Sequence, residues 1–64
     1  MKTVGEILKS NRLAKGYSLE QVEQATKIRI KFLQDIENDD YSRLPSLSYA
    51  KGFVKNYGEF LGLN

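Results

Sequence analysis

The 64-residue chain contains no cysteine and no histidine. Without thiols, neither a disulfide nor a thiolate metal site can brace the fold, and without imidazole the commonest metal ligand and general base is missing. No apolar run approaches the ~18 residues of a membrane-spanning helix, and no charged-then-apolar start resembles a leader peptide. As given, the chain reads as soluble. It also lacks a glycine-rich phosphate loop, a cluster of metal ligands and any alternating run long enough for a strand. No metal and no cofactor is expected. Ser48-x-x-Lys51 has the spacing of a serine–lysine nucleophile pair, but the companion motifs and large scaffold of that chemistry are missing, so the chain reads as a non-enzyme.

What is present is short and helical. At 7.3 kDa a single domain buries only about 60% of its unfolded surface, enough for a binding module and too little for a deep active site. Charge is uneven along it. Residues 1–17 carry Lys2, Lys9, Arg12 and Lys15 against Glu6, net +3. Residues 18–40 carry Lys27, Arg29 and Lys31 against Glu20, Glu23, Asp35, Glu37, Asp39 and Asp40, net −3. The remainder, with Arg43, Lys51 and Lys55 against Glu59, is +2.

Thr3-x-x-Glu6 and Ser18-x-x-Gln21 have the form of capping boxes, each marking a helix start. With Gly16 as a left-handed closing residue, the pattern predicts one helix over about 3–15 and a second over about 19–26. A third amphipathic segment runs from Arg29 to Asn38 and stops at Asn38-Asp39-Asp40. Pro45, the single proline, precedes a fourth helix from Ser46 or Leu47 to Leu61, closed by Gly62. On a wheel the apolar residues of this fourth helix cover roughly 140°, wider than a small core-facing stripe requires. Tyr49 and Phe60 form one margin, with Phe53 just inside it. Either the whole arc is core or its Tyr49 edge is a contact surface.

The string GYSLEQVEQATKIRIKFLQDIEN has the form of a repressor-type helix-turn-helix with its Ile36-Glu37-Asn38 ending. Together with VGEILKSNRLAK, YSRLP and YAKGFVKNYGEFLGL, it resembles the cytoplasmic domains of the RodZ cell-shape family from Val4 to Leu63. The resemblance implies an all-α, lambda-repressor-like bundle of four helices, the family's fifth helix lying outside this sequence. It further implies a single domain over residues 1–64, forming the N-terminal cytoplasmic part of a longer membrane protein at the bacterial inner membrane. Its partner would be MreB, the bacterial actin homologue. The aromatic pair that engages MreB in that family matches Tyr49 and Phe53, and both lie on or near the surplus edge of the wheel. Lys51 and Lys55 are candidates to assist. In repressor-type domains an arginine of helix one pairs with the glutamate of the Ile-Glu-Asn ending; the matching residues, Arg12 and Glu37, are expected to form a structural ion pair.

The competing reading is sequence-specific DNA binding through the third helix. Base edges are read by polar side chains, and Lys27, Arg29, Lys31 and Gln34 are the candidates. Against them stand Ile30 and Phe32, which offer a thymine methyl contact at best, and Asp35, which would meet phosphates with the wrong charge. Leu19 occupies the place where a glutamine commonly positions a phosphate. With the unit at net −3, DNA binding is expected to be weak or absent, and steeply salt dependent where it occurs.

Overall fold

Four helices make up the computed structural model, which describes residues 2–63: α1 (Val4–Ala14), α2 (Leu19–Thr26), α3 (Ile30–Glu37) and α4 (Leu47–Phe60). No strand occurs among the described residues. Both capping boxes close in both directions. Thr3 Oγ1 accepts from the Glu6 amide at 3.2 Å and Glu6 Oε1 from the Thr3 amide at 2.9 Å. Ser18 and Gln21 repeat the exchange at 3.1 and 2.8 Å. Each satisfies two amides that a helix start otherwise leaves open. Ser46 Oγ caps α4 by accepting from the Tyr49 amide at 3.3 Å.

The predicted helix bounds shift slightly because the terminal residues are caps. Thr3 and Lys15 flank α1 rather than belonging to it. Arg29 is extended (ψ 146°) and Asn38 is the C-cap, so α3 is shorter than the Arg29 to Asn38 segment. Its closing left-handed residue is Asp39, at φ 58°. No side chain of its own caps α3; instead Glu23 of α2 reaches across, its Oε2 accepting from the Ile30 amide at 3.1 Å. The turn between α2 and α3 is tight enough to hold Lys27 at φ 65°, an unusual place for a residue with a Cβ. Thr26 Oγ1 stabilises it, donating to Val22 O at 2.7 Å and accepting from the Ile28 amide at 3.2 Å.

α1 packs on α3, while α2 packs on both α3 and α4. Leu8, Val22, Ile28, Leu33, Ile36, Leu44, Ala50, Tyr57 and Leu61 form the core. Val22, Leu33, Ile36 and Tyr57 are fully enclosed, and removing such side chains from water contributes about 1.5–3 kcal/mol each. Close approach of α1 to the end of α3 requires Gly5. A Cβ there would lie 2.6 Å from Glu37 O and closer still to Ile36 O, both rigid backbone atoms. The same junction is fastened by Asp39, whose Oδ1 accepts from the Gly5 amide at 2.9 Å and whose Oδ2 accepts from the Thr3 hydroxyl. A carboxylate at a helix N-terminus is favourable there.

Candidate functional site

An ion pair lies at the centre of the bundle. Arg12 of α1 donates through Nε to Glu37 Oε2 at 2.7 Å and through one Nη to Oε1 at 3.1 Å, a two-pronged contact, and through its other Nη to Tyr17 O at 3.0 Å. The Tyr57 hydroxyl donates to the same Glu37 Oε2. The hydrogen bond and charge of Glu37 hold the Arg12 guanidinium above its ordinary value. Burial first, and the bond to Glu37 second, push the Tyr57 phenol upward. No buried side-chain nitrogen or oxygen among the described residues lacks a partner. Each buried polar atom of the group thus has a partner within the chain, and the bonds join α1, α3 and α4.

The surface beside α4 is of another kind. Tyr49 is 54% exposed, while Phe53 and Phe32 are half-buried. Tyr49 meets Phe53 edge-on at 5.7 Å between centroids, and Phe53 meets Phe32 of α3 at 5.7 Å in a tilted arrangement. Lys31 Nζ stands 5.1 Å from the centroid of Phe32, within cation–π range. The other residue of the wheel margin, Phe60, lies about three turns further along α4 and packs against Tyr17 at 4.9 Å between centroids. The wide apolar arc of α4 thus divides into a core centre and a margin that Tyr17 closes at Phe60 and that is open at Tyr49. Ser48 and Gly52 line a shallow hollow beside Tyr49 and Phe53.

Lys51 and Lys55 are on the opposite flank of α4 from these rings. They rim an open, mainly apolar groove between α1 and α4 whose floor includes Val4, Ile7, Val54 and Leu63. Tyr49 and Phe53 come together, and the two lysines come together, but the pairs do not share one patch. Ser48 and Lys51 likewise open onto different hollows. No group of three or more His, Cys, Asp or Glu among the described residues is placed to hold a metal.

On α3 the DNA-reading candidates Arg29, Lys31 and Gln34 are exposed, as is Lys27 in the preceding turn. Asp35 is not among them. It is 5% exposed and pairs with Arg43 at 3.3 Å, which corrects the expectation that it would face phosphates. The net charge of −3 over residues 18–40 misleads for the same reason. Asp35 and Glu37 are turned inward, Glu23 caps α3, Asp39 fastens α1, and Asp40 Oδ1 holds the Ser42 amide at 3.1 Å. The Ser42 hydroxyl, which donates to the same oxygen at 2.6 Å, and then the Ser42 amide hold the Asp40 carboxyl below its usual range. Among the described residues, only Asp35 and Glu37 of this stretch are paired with a cation, Arg43 and Arg12; the other acids keep their charge, and Glu23 sets its carboxylate at the start of α3 beside the exposed Lys27, Arg29 and Lys31. Composition could not reveal this, because it counts charges without their directions.

Comparison with known proteins agrees with this architecture. The helix-turn-helix domain family model matches residues 7–64. Cytoskeleton protein RodZ of Streptococcus pneumoniae is 39% identical over 56 residues, covering 88% of this chain and 20% of that protein. Membrane protein YmfM of Bacillus subtilis is 36% identical over 47 residues, covering 73% of this chain and 16% of that one. The solved structure of YmfM from Staphylococcus aureus, a membrane protein proposed to bind DNA, superimposes with a TM-score of 0.95 at 38% identity, covering 98% of this chain and 77% of that chain. The chain thus spans about a fifth of the length of the curated relatives it matches. No helix among the described residues is long and apolar enough to cross a membrane. The matched family is not an enzyme family. By sequence and by the arrangement of its four helices, the chain belongs to this helix-turn-helix family, as a domain of the RodZ type.

Proposed function

We propose that the chain is a cytoskeletal adaptor domain of a bacterial cell-shape protein, docking the actin homologue MreB through α4 at the cytoplasmic side of the inner membrane. Its link to the membrane would be a segment outside this sequence. The observation that carries this reading is the open Tyr49 margin of α4, continuous with Phe53. Exposed aromatic rings beside basic side chains match the composition of protein interfaces, where a few large anchors supply most of the binding energy. Tyr49 and Phe53 are the anchors. Lys51 and Lys55, on the other flank, act at longer range by drawing an acidic partner toward the domain. Likeness to a cytoskeleton protein supports the same assignment. The test is a pull-down of purified MreB by the 64-residue chain and by its Tyr49→Ala and Phe53→Ala variants, with helix content checked by circular dichroism. Loss of capture with an intact fold is expected; undiminished capture by both variants sinks the proposal.

A second reading has one observation in its favour. Lys27, Arg29, Lys31 and Gln34 are exposed together at the start of α3, and the S. aureus relative is proposed to bind DNA. Fluorescence anisotropy with mixed duplex DNA at two salt concentrations decides it. A saturable, sequence-selective component supports a regulator that reads through α3, and its absence rejects one.

A further inference from the structure

The row of rings does not end on α4. Phe53 is in contact on one side with Tyr49 and on the other with Phe32, which belongs to the third helix. In a repressor-type fold the start of this helix faces bases, yet here a half-buried ring occupies it and leans on α4. A ring held in this way is not free to follow a major groove, where reading depends on polar groups meeting base edges. It instead extends an apolar strip across two helices. Beside the strip, Lys31 lies over the Phe32 ring, and Arg29 is exposed at the helix start. The acids of α3 itself, Asp35 and Glu37, are turned inward and paired with Arg43 and Arg12. Neither Lys31 nor Arg29 joins an ion pair within the described residues. The strip is therefore apolar along its length, with Lys31 and Arg29 outside any such pair at its α3 end, where the Glu23 carboxylate is engaged with the Ile30 amide.

We infer that α3 is part of the docking surface: Phe32 is a third anchor, and Lys31 meets a carboxylate of the partner. The occupant is a protein surface that offers an apolar socket long enough for the row Tyr49, Phe53, Phe32 and carries acidic side chains at the socket's α3 end. This rests on the reading of α4 as the docking helix and adds to it the direction in which the partner lies. A partner seated on the strip covers the start of α3.

The experiment uses the 64-residue chain and purified MreB as the probe. Phe32→Ala is expected to weaken binding about tenfold and Lys31→Glu several-fold, since truncating a central aromatic anchor costs more than altering a charge at its rim. The Lys31→Glu loss should shrink as salt rises. Because Phe32 is half-buried, Lys31→Glu, an exposed change, provides the measurement that does not depend on the core. Coupling between Phe32→Ala and Phe53→Ala, with a double variant weaker or stronger than the product of the two singles predicts, marks one contiguous socket. If Tyr49→Ala and Phe53→Ala weaken binding while Lys31→Glu and a folded Phe32→Ala leave it unchanged, the extension is overturned and docking through α4 alone stands. If none of the four variants matters, both are overturned. If Lys31→Glu abolishes duplex DNA binding and leaves MreB binding intact, α3 belongs to nucleic acid and the extension is again overturned.

Discussion

One ion pair, Arg12 with Glu37, is buried within the apolar core of this bundle, while aromatic rings lie at its α3–α4 surface. Arg12 and Glu37 are 8% and 7% exposed, whereas Tyr49 is 54% exposed. The two regions lie on the same helices. α3 contributes Glu37 inward and Phe32 outward, and α4 contributes Tyr57 inward and Tyr49 outward. The buried polar group satisfies itself completely, so it is bound up with folding. Of the surface rings, Phe32 and Phe53 still pack against the core and Tyr49 does not, so Tyr49 is the one least bound up with folding. Tyr57 and Tyr49 show that residue type does not decide the matter. One hydroxyl is bonded to a buried carboxylate, and the other ring is left at the surface with an aromatic neighbour on one side.

This contrast can be broken most severely from inside. Glu37→Ala leaves the Arg12 guanidinium buried without its counter-charge and the Tyr57 hydroxyl without its acceptor, and is expected to cost about 3–5 kcal/mol of stability, measured by urea unfolding. Gly5→Ala drives a Cβ against the backbone of Ile36 and Glu37. It should cost about 1–3 kcal/mol, as overpacking does, with a matching fall in melting temperature. Outside, Tyr49→Ala should leave stability within about 0.5 kcal/mol while weakening MreB binding by about 2 kcal/mol, read by calorimetry and a thermal melt on the same sample. A large loss of stability in that variant would erase the distinction between the regions.

Titration sharpens the comparison further. Burial and the bond to Glu37 raise the Tyr57 phenol above its ordinary value near 10. A group raised on folding stabilises fully below its unfolded pKa and loses that contribution as pH rises through the folded one. Stability should therefore decline above about pH 10, and Tyr57→Phe should remove part of that decline at a cost of about 1 kcal/mol at neutral pH. Chemical denaturation at a series of alkaline pH values provides the check. The smallest effect belongs to the far flank of α4. Lys51→Gln with Lys55→Gln should slow MreB association a few-fold at low salt and leave dissociation unchanged, since these charges steer without touching.

Local chemistry is legible in residue order. Capping boxes at Thr3 and Ser18, glycines at positions 16 and 62 with φ of 75° and 81°, and Pro45 before the fourth helix announce α1, α2 and α4 nearly to the residue. Each of these signals acts within a few positions of itself. α3 begins at Ile30, one residue after the predicted Arg29, and its first amide is capped by Glu23, seven positions earlier and on another helix. At the surface, a wheel identifies an apolar margin at Tyr49 and Phe60 but cannot say which half a neighbour will cover. Tyr17 covers Phe60, and no described residue covers Tyr49 to the same degree.

Sequence by itself therefore determined the helices, their order and the kinship to helix-turn-helix domains, because periodicity, caps and turn residues are short-range properties. Tertiary structure alone decided where the side chains of those helices went. It turned Asp35 inward to pair with Arg43. It set Phe32 against Phe53 across two helices, and Tyr17 against Phe60. Direction is a property of packing: an inward or outward side chain is chosen by what the neighbouring helix leaves open, and that neighbour can be twenty residues away.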